Sequence, residues 1–361
     1  MRRAPNLDDM RRFAIGRTLS APTTLRRALL RLGFVQSDPI RAPARAQDLT
    51  LRHRVQHYRA GDLERLYPKL GIEEDFFVNY GFMSPATQAL MHPRVPTRAW
   101  TKKQQAIADR VLSFVHERGV VHPREVDAAL QLGKVTNWFG GSSNATTQLL
   151  DGLHYRGQLR VAKREAGIRL YAPRQPTPPP ENADAALDQL VGLIVNKYAP
   201  LPERSLGELI GLLRGGVPQW THLRRDAFLR AKQRLPSTTI DGVRWLWPDG
   251  ETPSASRWRV DDELRLIAPF DPLVWDRRRF ALLWGWEYRF EAYTPAPKRV
   301  RGYYALPMLW REKVIGWANV SAKNGCLTAD IGYISGPPKS KAFRAALDDE
   351  LARMRAFLAV T

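Results

Sequence analysis

The sequence predicts a mostly helical α+β protein, built from tandem winged-helix units followed by a β-rich C-terminal domain. Three observations predict it. Three helical patterns followed by a hairpin pattern occupy residues 104–171. The same order returns after a proline-rich run, Pro173-Arg174-Gln175-Pro176-Thr177-Pro178-Pro179-Pro180. Beyond about residue 260 the apolar residues switch from helical spacing to alternation between Pro, Gly and Asn breaks. The winged variant of helix-turn-helix is three helices plus a β-hairpin. The repeat lies in element order, not in residue identity.

The N-terminal third alternates helical and extended patterns. Leu7 to Thr18 reads as a helix with Met10, Phe13 and Ile15 on its apolar positions. Thr23 to Leu32 reads as a second helix, stopped by Gly33. Phe34 to Ile40 is extended, Leu49 to Tyr58 and Gly61 to Leu66 are helical, and Glu74 to Phe82 reads as one strand. Residues 1–100 are therefore expected to form a winged-helix-like unit.

Residues 101–173 are expected to form a winged helix. Gln104 to Glu117 is periodic and ends at Gly119, Pro123 to Leu130 is short, and Ser143-Asn144 can cap a third helix reaching Gly157. Gln158–Ala162 and Ile168–Tyr171 flank a Lys163–Gly167 turn and make the wing. The proline run makes 174–184 a stiff linker. A further winged helix is expected over 185–258, with helices Ala185–Asn196, Ser205–Leu213 and His222–Gln233. A hairpin around Asp241-Gly242 follows them.

Residues 259–338 are expected to be β-rich, with strands Glu287–Tyr293, Arg301–Trp310, Lys313–Ala322 and Cys326–Ile334. The amphipathic helix Lys341–Leu358 fills 339–361. Cys326, the one cysteine, excludes an internal disulfide and a cysteine-rich metal site, and its flanks predict a buried strand residue.

The charge points to a polyanion. There are 56 Lys plus Arg against 36 Asp plus Glu, a net charge of +20, and such an excess concentrates nucleic acid around a protein. No run approaches 18 apolar residues, and Met1-Arg2-Arg3-Ala4-Pro5-Asn6 lacks the apolar stretch of a signal peptide. The expectation is a cytoplasmic, nucleoid-associated monomer that touches no membrane.

Phosphate-loop, nucleophile-elbow and zinc-deaminase motifs are absent, and the seven His are scattered. No cofactor or metal is therefore expected. Val35-Gln36-Ser37-Asp38-Pro39-Ile40 remains. In an extended segment residues i and i+2 face one way, so Gln36 and Asp38 present an amide and a carboxylate to one space. That pair suits hydrolysis at a glycosidic carbon, with the carboxylate activating water and offsetting sugar cation charge while the amide positions the water. The alternative is structural: Asp38-Pro39 starts a turn and Gln36 fills a polar edge.

Cations cluster in three further places. Arg160, Lys163, Arg164 and Arg169 lie in the first wing and suit phosphate contact. Lys298, Arg299 and Arg301 lie between Tyr293 and Tyr303, where cations beside aromatics can hold phosphates and stack on bases; a solvated tip is the alternative. Arg277 and Arg278 follow Trp275-Asp276, where Trp275 reads as core and Asp276 as a residue that orients an Arg.

The runs Leu266-Ile267-Ala268-Pro269-Phe270-Asp271-Pro272-Leu273-Val274-Trp275-Asp276-Arg277-Arg278-Arg279 and Tyr293-Thr294-Pro295-Ala296-Pro297-Lys298-Arg299-Val300-Arg301-Gly302-Tyr303 resemble the YcaQ/AlkZ-type winged-helix DNA glycosylases. The resemblance implies removal of alkylated bases or unhooking of interstrand crosslinks. It implies a catalytic Gln-x-Gln or Gln-x-Asp pair, matched here by Gln36 and Asp38, and a DNA-gripping hairpin matched by Lys298, Arg299 and Arg301. Two departures stand out. Ser37 occupies a middle position that is usually aliphatic, and the stretch Phe76–Gly81 before Phe82-Met83 lacks the His and Glu of the crosslink-unhooking members. The expected function is a monofunctional, metal-independent DNA glycosylase acting on double-stranded DNA with an alkylated base or crosslink. The rival is a non-catalytic winged-helix DNA-binding regulator or damage sensor.

Overall fold

Helix Leu7–Thr18 begins where Asn6 accepts the Asp9 backbone N–H and the Asp9 carboxylate accepts the Asn6 N–H, so two otherwise orphaned donors are satisfied reciprocally. The structure, a computed structural model, describes residues 3–19, 21–136 and 142–360, and of 134–136 and 142–143 the backbone only. Met1 and Arg2 of the leader stretch discussed above lie outside the described residues. The chain is mixed α+β with several small antiparallel sheets, and it divides into two compact units. One comprises Met1–Leu63, Val191–Leu209 and Phe228–Thr361, the other Glu64–Leu190 and Ile210–Ala227.

In the first unit, helix Leu25–Leu32 starts at the Thr24 cap and ends at Gly33, whose φ of 65° suits glycine. Strand Phe34–Gln36 is shorter than the expected extended run to Ile40. The Asp38 carboxylate accepts the Ile40 N–H at 2.9 Å, and Pro39 has no N–H to donate, so the segment turns there. The helix expected over Leu49–Tyr58 is Ala46–Leu51 instead, because Val55 is drawn into a bridge with Thr23.

Leu201–Pro202, Val243–Leu246 and Ser237–Ile240 form a three-stranded sheet whose hairpin turns on Asp241 and Gly242, both at positive φ. The helix expected over His222–Gln233 divides into a 3-10 segment, Pro218–Leu223, and helix Arg224–Arg234.

The C-terminal sheet runs Leu264–Leu266, Leu306–Trp310, Lys313–Lys323 and Cys326–Tyr333 in sequence order, all antiparallel. Glu287–Tyr293, expected as a strand, is irregular: Tyr288 is buried in the core and sends its hydroxyl to the Ala305 carbonyl, so packing wins over ladder pairing. Cys326 is exposed, contrary to expectation, because it opens an edge strand just beyond the Asn324-Gly325 turn. Ser340 caps helix Lys341–Leu358.

Met10, Phe13, Trp245, Ile267, Leu273, Phe280 and Tyr288 share one core cluster, which binds the first helix to the run 266–279. Each such side chain contributes about 1.5–3 kcal/mol by leaving water. Two buried arginines hold that run in place. Arg54 makes a bidentate pair with Asp271 at 2.7 and 3.0 Å, and Arg279 donates to the carbonyls of Pro200 and Pro272.

In the second unit the single strand expected over Glu74–Phe82 is a hairpin, Glu73–Phe76 against Tyr80–Met83, closed where the Phe77 N–H meets the Asn79 carbonyl. Helices Lys102–Arg118, Pro123–Leu130 and Ala145–Tyr155 follow, capped by Thr101, His122 and Asn144. Strands Leu159–Glu165 and Ile168–Pro173 then pair around Ala166-Gly167, a tighter turn than expected. No helix among the described residues is long and apolar enough to cross a membrane.

Candidate active site and nucleic-acid interface

The Gln36 amide sits at the end of its strand with its oxygen accepting the Trp275 indole N–H at 2.7 Å. Trp275, expected as core, is only half-buried and tilts against the Tyr198 ring at 5.5 Å. Two residues on, Asp38 is 8% exposed. Its backbone N–H donates to the Gln47 side chain at 3.3 Å, and Gln47 is itself fully buried. Among the described residues no Arg, Lys or His pairs with the Asp38 carboxylate. Burial pushes its pKa above the ordinary carboxylate range, and the Ile40 N–H only partly offsets this.

A buried carboxylate without a cation is costly to keep, so its presence in one place calls for a reason beyond stability. One aromatic side chain lies within electrostatic reach of it. Tyr304 is buried, its hydroxyl has no hydrogen-bond partner among the described residues, and its pKa is driven well up by burial and then by the Asp38 charge. Phe290 packs edge-on against Tyr304 at 5.3 Å. Such surroundings keep the dielectric low, which strengthens any charge interaction at Asp38.

Arg277 is half-buried with its guanidinium 4.4 Å from the Tyr288 ring centroid, and desolvation lowers its pKa. Arg278 reaches Glu208 at 3.2 Å. Asp276 caps helix Arg277–Trp284 by accepting the Arg279 N–H, so it orients a helix rather than one arginine side chain.

The segment 293–303 contains a 3-10 turn, Ala296–Lys298, rather than a strand end. Lys298 is exposed at it, beside Val300 at 78% and Tyr293 at 81% exposure. Arg299 donates to the Thr294 carbonyl and lies 5.0 Å from the Tyr303 ring centroid. Arg301 lies 4.9 Å from the Trp286 ring centroid. One oxygen of Glu291 accepts the backbone N–H groups of Val300, Arg301 and Gly302. Burial opposes that charge, but the three N–H groups and Arg301 prevail and lower the Glu291 pKa. Gly302 is required here: at φ +110° a Cβ would stand 2.4 Å from the Asn319 side chain.

The cations of the hairpin Leu159–Pro173 are mostly paired inside the second unit. Arg164 makes a buried bidentate pair with Glu74, Arg160 pairs with Glu73, and Arg169 with Asp151. Among the described residues Lys163 pairs only with the exposed Glu165, and it is itself 46% exposed. The roles of Trp275, Tyr304 and Glu291 were not legible in advance. Trp275 stood in a conspicuous run, but nothing in the spacing linked it to Gln36, and Glu291 carried no signal.

The model of the family described as DNA glycosylase AlkZ-like matches residues 29–357. Among solved structures, the Streptomyces sahachiroi DNA glycosylase AlkZ is similar in fold, with a TM-score of 0.64 at 13% identity. The match covers 99% of this chain and 98% of that one. The chain belongs to the AlkZ-like family of DNA glycosylases.

Proposed function

We propose that the protein is a monofunctional, metal-independent DNA glycosylase that hydrolyses the N-glycosidic bond of N-alkylated bases, or unhooks interstrand crosslinks, in double-stranded DNA. The observation that carries this is Asp38: a buried carboxylate with no cation beside it, its pKa raised, two residues from an oriented amide. A carboxylate of raised pKa is a stronger base. In the reaction a water oxygen attacks C1′ and the C1′–N bond breaks. The base leaves with the bonding electrons, and the water proton passes to Asp38. Before attack, the same charge offsets the oxocarbenium-like sugar. Gln36 orients the water. An alkylated base is already cationic, so it leaves with little acid assistance.

In this reading the three-helix-plus-hairpin groups over 101–173 and 185–258 are winged-helix units that grip the duplex. Lys298, Arg299, Arg301, Arg277, Arg278 and the exposed Lys163 supply phosphate and sugar contacts, and the net charge of +20 draws the duplex in. The test compares base release from duplexes carrying 7-methylguanine, a nitrogen-mustard crosslink or undamaged bases. Release from one of the damaged duplexes alone supports the reading. Tight binding to one undamaged sequence with no release would favour a regulator.

A further inference from the structure

A small cavity lies among the first helix, helix Leu25–Leu32 and the pair Asn196-Lys197. Arg17, Thr18, Arg31, Arg54, Asn196 and Lys197 line a cavity of about 40 Å³ in the first unit. At roughly 10–15 Å³ for each water position, it has room for a few waters or one tetrahedral oxyanion, and none for a nucleoside.

Lys197 sets its chemistry. The side chain is 5% exposed, and its ammonium donates to the Phe34 carbonyl while facing the Phe34 and Tyr198 rings. Among the described residues it makes no ion pair. Arg54 is spoken for by Asp271, and Arg17 by Glu251. Arg31 stands at the exposed rim and reaches the Ala21 carbonyl at 3.4 Å. A buried ammonium without a counter-charge is expensive, so it loses its proton easily: burial and then the Arg54 charge lower its pKa to about 7, against a partial lift from Asp271. An oxyanion in the cavity supplies the missing charge. Thr18 and, at the rim, Arg31 also line the cavity, while Arg17 stays on Glu251 and the Asn196 side-chain oxygen.

We propose that this cavity is an oxyanion site for a phosphate group, with Lys197 as its charged floor. The phosphate can come from the DNA backbone or from free inorganic phosphate, and the tetrahedral dianionic or monoanionic oxygen set is common to both. Through the Phe34 carbonyl, Lys197 is tied to the residue two before Gln36, so an occupied site steadies that strand.

The experiment titrates the full chain with sodium sulfate by isothermal calorimetry, because sulfate keeps its charge across the range used. Ionic strength is held constant with chloride. One saturable site is expected at pH 6, and its affinity should fall about tenfold by pH 8 as the ammonium of pKa near 7 is lost. Lys197→Met should abolish the site. Arg31→Gln, at the rim, should weaken it severalfold without touching the buried floor, which keeps the test decisive if the first variant folds poorly.

A second arm adds an undamaged duplex. If the backbone is the source, sulfate should displace DNA more than chloride of equal ionic strength does, in wild type and not in Lys197→Met. If free phosphate is the source, sulfate should bind equally with and without DNA. Absence of saturable sulfate binding at pH 6, or binding unaltered in both variants, overturns the proposal.

Discussion

The Trp275 indole N–H donates to the Gln36 side-chain oxygen at 2.7 Å, across 239 positions of sequence. The run 266–279 thus orients an amide on a strand near the other end of the chain. Buried arginines in turn hold that run, Arg54 through Asp271 and Arg279 through the Pro200 and Pro272 carbonyls. The consequence is an amide whose carbonyl direction is set before any substrate arrives, which is the preorganisation that positioning of a water requires.

Trp275→Phe keeps the ring and removes the donor. Base release in single turnover should fall roughly 2–10-fold, the worth of one hydrogen bond of about 0.5–1.5 kcal/mol. Duplex affinity should stay the same. An unchanged rate would show that the indole only packs.

Asp38 should be a residue whose removal stabilises the fold. Its folded-state pKa is raised, so the native state holds the proton more tightly than the unfolded chain does. Stability is therefore lost as pH rises from the ordinary Asp value of about 3.8 through the raised value, and above it the charge stays a burden. Urea unfolding should find Asp38→Asn more stable than wild type at pH 7, with the difference closing below pH 4. A less stable variant at pH 7 would mean that the carboxylate is held for structure, as the Ile40 turn alone would have it.

The N-terminal helix, the cap at Asn144 and the hairpin at Asp241-Gly242 were legible because their signals are local: spacing, cap residues and turn dipeptides. Gln36 and Asp38 are proposed as a pair on the same kind of local signal, their spacing of two residues in the sequence. Trp275, Tyr304 and Glu291 were not legible, because each acts on a residue that only the fold brings near. The strand expected at Glu287–Tyr293 shows the converse. Its apolar residues alternate as a strand's do, yet Tyr288 spends them on the core and the backbone stays irregular.

Two neighbours in the hairpin Leu159–Pro173 should separate cleanly. Lys163 is exposed, so Lys163→Ala should weaken duplex binding evenly across sequences and reduce the slope of log K against log salt by about 0.9. Arg164 is buried on Glu74, and Arg164→Ala should cost about 3–5 kcal/mol of stability by stranding that carboxylate. Equal effects of the two on DNA affinity, with no loss of stability in either, would contradict the assignment.

Glu291 should matter through the loop that it organises. Glu291→Gln leaves a weaker acceptor for three N–H groups, so the segment holding Lys298, Arg299 and Arg301 should loosen. Its folded pKa is lowered, so the support it gives is present above the ordinary Glu value and lost as pH falls through the lowered one. Amide exchange at 300–302 should quicken in the variant, and duplex affinity should drop, as it should in Lys298→Ala. Exchange as slow as in wild type would show the carboxylate to be incidental.

The central claim rests on the Asp38 charge, and single-turnover release of 7-methylguanine from a saturated duplex measures it directly. Asp38→Asn removes the charge with almost no change of shape. The rate of the bound complex should fall roughly 10²–10⁴-fold, the usual worth of a positioned base. Duplex affinity should hold or tighten slightly, since a negative charge leaves the vicinity of phosphates. Release by the Asn variant at the wild-type rate, or no release by the wild-type protein, would contradict the account.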